Sequence, residues 1–209
     1  IPLFECPDID IERTYYFRWW TYRKHIKNTE DGYVITEFLP DVPWSGKHNT
    51  ISCPAGHHYY EGRWIHNTKY LDDYSYFWLR KGGEPRLYSF WIADAFYNRY
   101  LVTLDNKPLL DLLPDLIENY KMWETGWDWN GYHIGGRKNG LFYTIDDRAG
   151  GEFSVGGHGF RPSLNSFMYG DAMAISKISK LAGKRELEKE YRSKAFKIKN
   201  LVQNKLWDS

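Results

Sequence analysis

The sequence has few cysteines, no long apolar run and no excess of charge of one sign. Only Cys6 and Cys53 are present, so the chain cannot form a multi-bridge disulfide framework, although a single bridge stays open to it. No apolar run reaches the about 18 residues of a transmembrane helix, and we expect no membrane partner. The 28 basic residues nearly balance the 27 acidic ones. Because nonspecific nucleic-acid binders need a clustered basic excess, we expect no nucleic-acid partner either.

The sequence begins at Ile1, and it shows neither an initiator methionine nor the pattern of a signal peptide. This start indicates a processed or excised polypeptide. It does not determine the cellular compartment, and we expect a secreted or periplasmic protein rather than a cytoplasmic one.

Aromatic residues are abundant, since 10 Trp, 17 Tyr and 11 Phe make up 18% of the 209 residues. Trp and Tyr combine a large apolar face with a polar group, which favours them where an apolar surface meets a polar ligand. We therefore expect many of these rings to line a binding surface. The alternative is that they fill the core of a helical domain.

Apolar residues recur at three- and four-residue steps near the C-terminus, which predicts an antiparallel helical hairpin over residues 162–206. Pro162 favours the start of the first helix, and Gly183 favours its end. The same periodicity predicts helices over residues 11–26, 88–102 and 109–123.

Pro114 lies inside the last of these helices, so we expect a kink or a break into two short helices there. The stretches 29–69 and 126–160 are too long for ordinary connections between helices. We expect short β-strands over residues 32–39 and 140–145, as hairpins that cap one end of a helical body.

The segment from Trp123 to Asp171 is the richest in usable chemistry. It interleaves rings, carboxylates and glycine turns, as a sugar-cleaving pocket requires, because rings stack on sugars while carboxylates move protons. We expect Trp127 and Trp129 to form a stacking platform. Arg161 and Asn165 flank a helix start, where they could bind sugar hydroxyls or orient an acid, and the alternative is that Asn165 satisfies loop carbonyls.

Two motifs in this segment resemble (α/α)6-toroid glycoside hydrolases, a group that includes glycoside hydrolase family 63, the mannosylglycerate hydrolases and, more distantly, the trehalases. The motifs are Gly150-Gly151-Glu152-Phe153-Ser154 and Arg161-Pro162-Ser163-Leu164-Asn165. The resemblance implies a mainly α fold of helical hairpins arranged as a toroid. Six hairpins need about twice this length at typical helix sizes, so residues 1–209 are expected to form a single catalytic domain that is only part of a toroid.

The resemblance also implies a general acid in the loop before the Leu-Asn helix start. That role falls on Glu152, with two departures from the family pattern: Glu stands where Asp is usual, and Gly151 stands where a bulky residue is usual. A competing register places the acid on Asp128, in the order Glu124-Thr125-Gly126-Trp127-Asp128. The alternative for Glu152 is a structural ion pair with Arg148 or Arg161.

A second match is Tyr70-Leu71-Asp72-Asp73-Tyr74-Ser75-Tyr76-Phe77-Trp78, which is similar to a segment near the first toroid helices of these enzymes. The resemblance implies that Asp73, or less directly Asp72, binds the sugar at the cleavage site. His58, Glu61 and Arg63 come shortly before this segment, and we expect them to line the same pocket.

Metal and cofactor sites are not expected. The candidate ligands His48, Cys53, His57 and His58 are spaced by five, four and one residues, which does not match a structural zinc pattern. The resemblance implies no cofactor.

The sequence thus predicts an inverting glycosidase that acts on a carbohydrate, with Glu152 as general acid and the base outside this chain. One alternative is a carbohydrate-binding or scaffold protein of the same fold that has lost catalysis. Another is a polysaccharide lyase, in which Tyr132 or His133 would abstract the proton beside Arg137.

Overall fold

The computed structural model describes residues 1–126, 135–146, 148 and 157–207, with the main chain alone for residues 135–138. These residues form eight α-helices and two β-hairpins. The helices are α1 (Ile9–His25), α2 (Ala55–Gly62), α3 (Lys69–Arg80), α4 (Ile92–Thr103), α5 (Lys107–Asp111), α6 (Leu113–Thr125), α7 (Pro162–Leu181) and α8 (Arg185–Lys205); the strands are β1 (Ile26–Thr29), β2 (Gly32–Ile35), β3 (Gly135–Lys138) and β4 (Leu141–Thr144). None of the described helices is long and apolar enough to cross a membrane.

Helices α2 and α4 lie side by side and run in the same direction. Successive residues along α2 contact successive residues along α4, which shows that the two helices are parallel. Gly56 of α2 packs directly under the Trp91 ring, which leaves no space for a side chain at that position. One turn later the Tyr60 hydroxyl contacts the Asp94 carboxylate.

Helix α7 continues this layer on the other side of α4, again in parallel. The Trp91 and Phe167 ring centroids are 4.4 Å apart. The Asp94 backbone N–H donates to Asp171 at 3.0 Å, and Lys177 lies 5.0 Å from the Tyr97 ring. Helices α2, α4 and α7 therefore form one layer, which we call the first layer.

Helices α3, α6 and α8 form a second layer that runs in the opposite direction. Arg80 of α3 reaches Asp115 of α6 at 2.7 Å, and Lys194 of α8 reaches Glu124 of α6 at 2.9 Å. Each first-layer helix has an antiparallel partner in the second layer that comes later in the chain. Helix α3 follows α2, α8 follows α7, and α6 follows α4 after the short helix α5. These three hairpins confirm the predicted mainly α, partial toroid of helical hairpins.

The helix boundaries follow the predicted signals. Helix α5 ends at Asp111 and α6 begins at Leu113, with Pro114 in the first turn of α6, where its missing N–H costs no hydrogen bond. The predicted break at Pro114 is confirmed. Gly183 has φ +70° between α7 and α8, a conformation that glycine adopts without strain.

Both predicted β regions form two-stranded antiparallel hairpins, with shorter strands than expected. Strand β1 pairs with β2, and β3 pairs with β4. The first hairpin packs on α3, and the second packs against α6 and α7. Both hairpins therefore join the helical layers instead of forming a separate domain.

The space between the two layers is filled largely by aromatic rings. Tyr59 stacks on Tyr74 with centroids 5.4 Å apart, and Trp78 contacts Phe90 edge to face at 5.6 Å. All four are at most 2% exposed. For these rings the core interpretation is correct, and only the remaining rings are available to a binding surface.

Candidate functional site

Four polar side chains meet on the partly exposed face of the first layer: Tyr60 and Arg63 from α2 and its end, and Asp94 and Asn98 from α4. We call them the Asp94 cluster. The Tyr60 hydroxyl donates to Asp94 Oδ2, and Asn98 Nδ2 lies 2.9 Å from the Tyr60 oxygen and 3.2 Å from Asp94 Oδ2. Arg63 Nη1 donates to Asn98 Oδ1 at 3.1 Å. The cluster joins two helices through a continuous hydrogen-bond network.

A buried carboxylate from α7 fixes the start of α4 and thus the position of Asp94. The N-cap residue of α4, Trp91, supplies no side-chain cap. Asp171, which is 1% exposed, accepts instead from the backbone N–H groups of Asp94 and Ala93. A carboxylate at this end of a helix satisfies unpaired N–H groups and interacts favourably with the helix dipole. Burial raises the pKa of Asp171, while these two hydrogen bonds oppose the rise.

Aromatic rings border the cluster. Trp91 is partly exposed and lies between Phe167, at 4.4 Å, and the His57 ring, which it meets edge to face at 5.0 Å. The Arg63 guanidinium lies 4.8 Å from the Tyr60 ring and 5.2 Å from the Trp64 ring. An apolar ring face beside fixed polar groups is the usual composition of a site for a polar ring-shaped ligand.

The protonation states suit hydroxyl recognition. Burial, followed by the hydrogen bond to Asp94, raises the pKa of Tyr60, so its hydroxyl stays a donor at neutral pH. The network therefore offers a carboxylate, an amide, a phenol and a guanidinium at fixed positions. These groups both accept from and donate to hydroxyls.

Of the three residues predicted beside α2, only Arg63 joins this cluster. His58 and Glu61 lie on the opposite flank of α2, which faces α1. Glu61 pairs with Arg18 of α1 at 2.8 Å, and His58 Nδ1 lies 3.2 Å from the Tyr74 hydroxyl. Burial lowers the pKa of His58 to about 3, so this histidine is neutral at physiological pH.

Asp73 lies on α3, where it holds the first β-hairpin to the helix. Its Oδ2 accepts from Lys69 Nζ at 2.6 Å and from the Tyr33 backbone N–H at 3.1 Å. Gly32 packs so closely on this carboxylate that an added side chain would collide with it. Asp72 pairs with the buried Arg99 at 2.5 Å. The structure therefore brings neither residue to the Asp94 cluster.

Asn165 and Arg161 lie at the start of α7 and contact the second hairpin. Asn165 is fully buried; its Oδ1 accepts from the Phe142 N–H at 2.8 Å, and its Nδ2 donates to the Phe142 carbonyl at 2.9 Å. Arg161 pairs with Asp146 at 3.2 Å and donates to the Gly157 carbonyl. Both side chains hold β4 and the following chain against α7, as the alternative for Asn165 anticipated.

Glu152, Asp128, Trp127 and Trp129 lie outside the described residues, as do Tyr132, His133 and the side chain of Arg137. The flanking residues are described. Helix α6 is capped by Gly126 at φ +80°, and the Arg148 carbonyl accepts from Ser89 N at 2.8 Å and from Ser89 Oγ at 3.1 Å. Arg148 is thereby held next to the start of α4.

One group among the described residues has carboxylate and imidazole atoms close enough for a metal: Glu30, Asp31 and His48. Lys47 Nζ already lies 2.5 Å from Asp31 Oδ2, and His48 Nε2 lies 2.7 Å from it. Hydrogen bonds from Lys47 and then His48 lower the pKa of Asp31. Because an ammonium competes for this carboxylate, the group is better explained as an ion-pair network that fixes the loop.

Comparison with known proteins identifies the family of this arrangement. The model of the mannosylglycerate hydrolase MGH1-like glycoside hydrolase domain matches residues 47–209. The chain belongs to this family. A solved structure described as a sialidase aligns with all of this chain at 41% identity and a TM-score of 0.89, and the match covers 19% of that chain. Our chain therefore spans about a fifth of the length of this relative. No curated protein matches the sequence.

The MGH1-like assignment confirms the resemblance to toroid glycoside hydrolases. The matched region contains all of the Asp94 cluster and both candidate acids, whereas α1 and the first β-hairpin precede it. Three of the four cluster residues, Tyr60, Asp94 and Asn98, were missed from the sequence. A usable signal was present, because Trp91, Asp94 and Asn98 recur at three- and four-residue steps along α4 and its N-cap.

Proposed function

We propose that the protein is a glycoside hydrolase and that this chain supplies its sugar-binding face and its proton donor. The observation that carries the proposal is the Asp94 cluster beside the Trp91 ring. Asp94, Asn98 and Arg63 would bind the hydroxyls of a carbohydrate substrate, and the partly exposed part of the Trp91 ring would contact its apolar face. Membership of the MGH1-like family supports the reaction class.

Glu152 is our first choice for the general acid. Arg148, whose carbonyl is held by Ser89, lies four residues before it. Asp128 remains the competing choice. In the sequence it comes only two residues after Gly126, which caps α6.

The catalytic base is assigned to a part of the protein outside this chain. Asp171 is occupied as the cap of α4, and Glu186 is 89% exposed on the Lys-rich face of α8. An inverting reaction needs a second carboxylate far enough from the acid to leave room for water. We propose that mechanism, with Trp127 and Trp129 as the stacking platform next to the acid.

The test compares Glu152→Gln with Asp128→Asn in the intact protein, using two kinds of substrate. Loss of the general acid should slow hydrolysis of an unactivated oligosaccharide by about 10²- to 10⁴-fold. An aryl glycoside with a good leaving group needs little protonation, so its hydrolysis should fall much less. The variant with this selective loss identifies the acid, and proton NMR of the first-formed anomer reads the stereochemistry.

Glu186→Gln on the exposed face of α8 is the matched control and should retain full activity. Undiminished hydrolysis of the oligosaccharide by both the Glu152 and Asp128 variants would exclude both acids. An intact protein that binds oligosaccharides without cleaving any of them would instead support the non-catalytic alternative.

A further inference from the structure

A separate cavity of about 230 Å³ lies between α1 and α2, on the flank of α2 that faces away from the Asp94 cluster. Its walls come from α1, from the chain around β2 and from α2. The lining residues are Phe17, Arg18, Thr21, Tyr22, His25, Ile35, Thr36, Glu37, His58 and Glu61. Pockets for drug-sized ligands span about 300 to 1,000 Å³, so this cavity suits a single small ring.

Hydrogen-bond acceptors dominate the polar lining. His25 Nδ1 lies 2.8 Å from the Thr36 carbonyl, so this nitrogen carries a proton, and in the tautomer with one proton Nε2 is an acceptor. Within the described part of the chain, the Glu37 carboxylate has neither a hydrogen bond nor an ion pair. Glu37 is half-buried, and burial raises its pKa. Glu61 contributes a further carboxylate, and its partner Arg18 contributes donors.

An aromatic face completes the cavity. The Phe17 ring is 58% exposed and lies 5.6 Å from the Trp20 ring, with 30° between the two planes. Such exposed rings are available to stack on the apolar face of a ligand. A ring face in the same cavity as these acceptors complements a molecule that carries hydroxyl donors around an apolar ring.

The cavity stands next to the proposed substrate site without being part of it. His58 and Glu61 lie on one flank of α2, and Tyr60 and Arg63 lie on the other. The two sites are therefore separated by about one helix diameter, roughly 10 to 12 Å. Phe17, His25 and Glu37 all precede residue 47, where the MGH1-like match begins. The matched domain by itself would lack most of this cavity.

We propose that the cavity between α1 and α2 is a second sugar-binding subsite, in which Phe17 stacks on a sugar ring while Glu37, Glu61 and His25 accept its hydroxyls. The ligand class rests on the proposed function, since the ring would belong to an oligosaccharide that also reaches the Asp94 cluster. The subsite extends recognition of the substrate beyond the matched domain.

The test uses the intact protein with glucose, mannose and galactose as probes in saturation-transfer NMR, with dissociation constants from titration. Asp94→Asn serves as the common background, because it weakens binding at the first site. In that background, Phe17→Ala and Glu37→Gln should each weaken binding about tenfold or more, as expected for lost hydrogen bonds to a charged group or lost ring contact. Phe196→Ala, which removes an exposed ring on α8 outside the cavity lining, is the matched control and should bind as the background does.

Three results would overturn the subsite: no binding of any of the three sugars in the Asp94→Asn background, binding by the Phe17 and Glu37 variants as tight as that of the background, or an equal loss in Phe196→Ala. Hydrolysis of oligosaccharides is measured in parallel on the unaltered protein. If sugars bind at the cavity but nothing is hydrolysed, the proposed function fails and the subsite stands. If hydrolysis is seen without binding at the cavity, the reverse holds.

Discussion

The two flanks of α2 carry residues that are close in sequence and have opposite environments. Toward α4, Tyr60 and Arg63 join a partly exposed network around Asp94 that is anchored by Asp171. Toward α1, His58 is buried and neutral, and Glu61 is paired with Arg18. On a helix, residues two apart point in nearly opposite directions, so proximity in sequence does not place them in one site.

The largest effect is expected where the α4 flank is anchored. Asp171→Ala removes the acceptor of two backbone N–H groups and leaves them buried and unpaired. We expect a loss of about 3 kcal/mol in the free energy of unfolding, measured by urea denaturation, since each unsatisfied group costs about 1 to 3 kcal/mol. Asp171→Asn keeps an oxygen acceptor and should retain most of the stability. A change below about 0.5 kcal/mol in the Ala variant would contradict the capping role.

A smaller effect is expected when the charge of the cluster itself is removed. Asp94→Asn should weaken oligosaccharide binding by about 10- to 100-fold, because hydrogen bonds to a charged group contribute about 1.5 to 3 kcal/mol. Isothermal titration calorimetry measures this change. The matched control is Asp111→Asn. It removes the charge of a half-exposed carboxylate on α5 that pairs with Arg80 of α3, away from the Asp94 cluster. That variant should bind normally and lose at most about 1 kcal/mol of stability. Equal weakening in both variants would contradict a specific role for Asp94.

The effect that is smallest at neutral pH concerns the α1 flank, where it develops only as the pH falls. The folded-state pKa of His58, about 3, is below the unfolded value of about 6.5, so burial favours the neutral form. The resulting stability is fully present above pH 6.5 and is lost as the pH falls toward 3. The slope from this one proton is at most about 1.4 kcal/mol per pH unit.

His58→Gln removes this titrating group. The free energy of unfolding should therefore change less steeply with pH between pH 6.5 and 4, by up to the contribution of one proton, about 1.4 kcal/mol per pH unit. Denaturation curves at a series of pH values measure it. The exposed His66→Gln is the control and should leave the slope unchanged. An unchanged slope in the His58 variant would show that this histidine does not titrate as its burial implies.

Local features of the sequence were enough to predict much of the helical framework. The period of apolar residues in α7 and α8 gave both helices, and Pro114 marked a real break between α5 and α6. These features act within a few residues, through backbone hydrogen bonds and the fixed φ of proline. The site was less accessible. Tyr60, Asp94 and Asp171 are separated by at least 34 residues and meet only because three helices pack in parallel.

Asp73 illustrates why a short motif does not establish a binding role. The motif lies on α3, but the Asp73 carboxylate accepts from Lys69 and from the Tyr33 N–H of a hairpin 40 residues earlier. No sequence pattern around Asp73 predicts that the turn at Gly32 packs on its carboxylate. Its role as a sugar ligand therefore stays a prediction without support from the described contacts.

The sequence by itself determined most of the helices, the break at Pro114, the turn at Gly183 and the family to which the chain belongs, because each depends on residues that are near neighbours in the chain. It did not determine α2, which lies inside the stretch 29–69 that was interpreted as a long connection. Only the tertiary structure decided which polar groups face one another. Asp94 gained Tyr60, Asn98 and the Asp171 cap, whereas His58 was buried and Glu61 was paired with Arg18. The physical reason is that helix packing, and not sequence distance, determines whether a charged side chain is exposed, paired or desolvated.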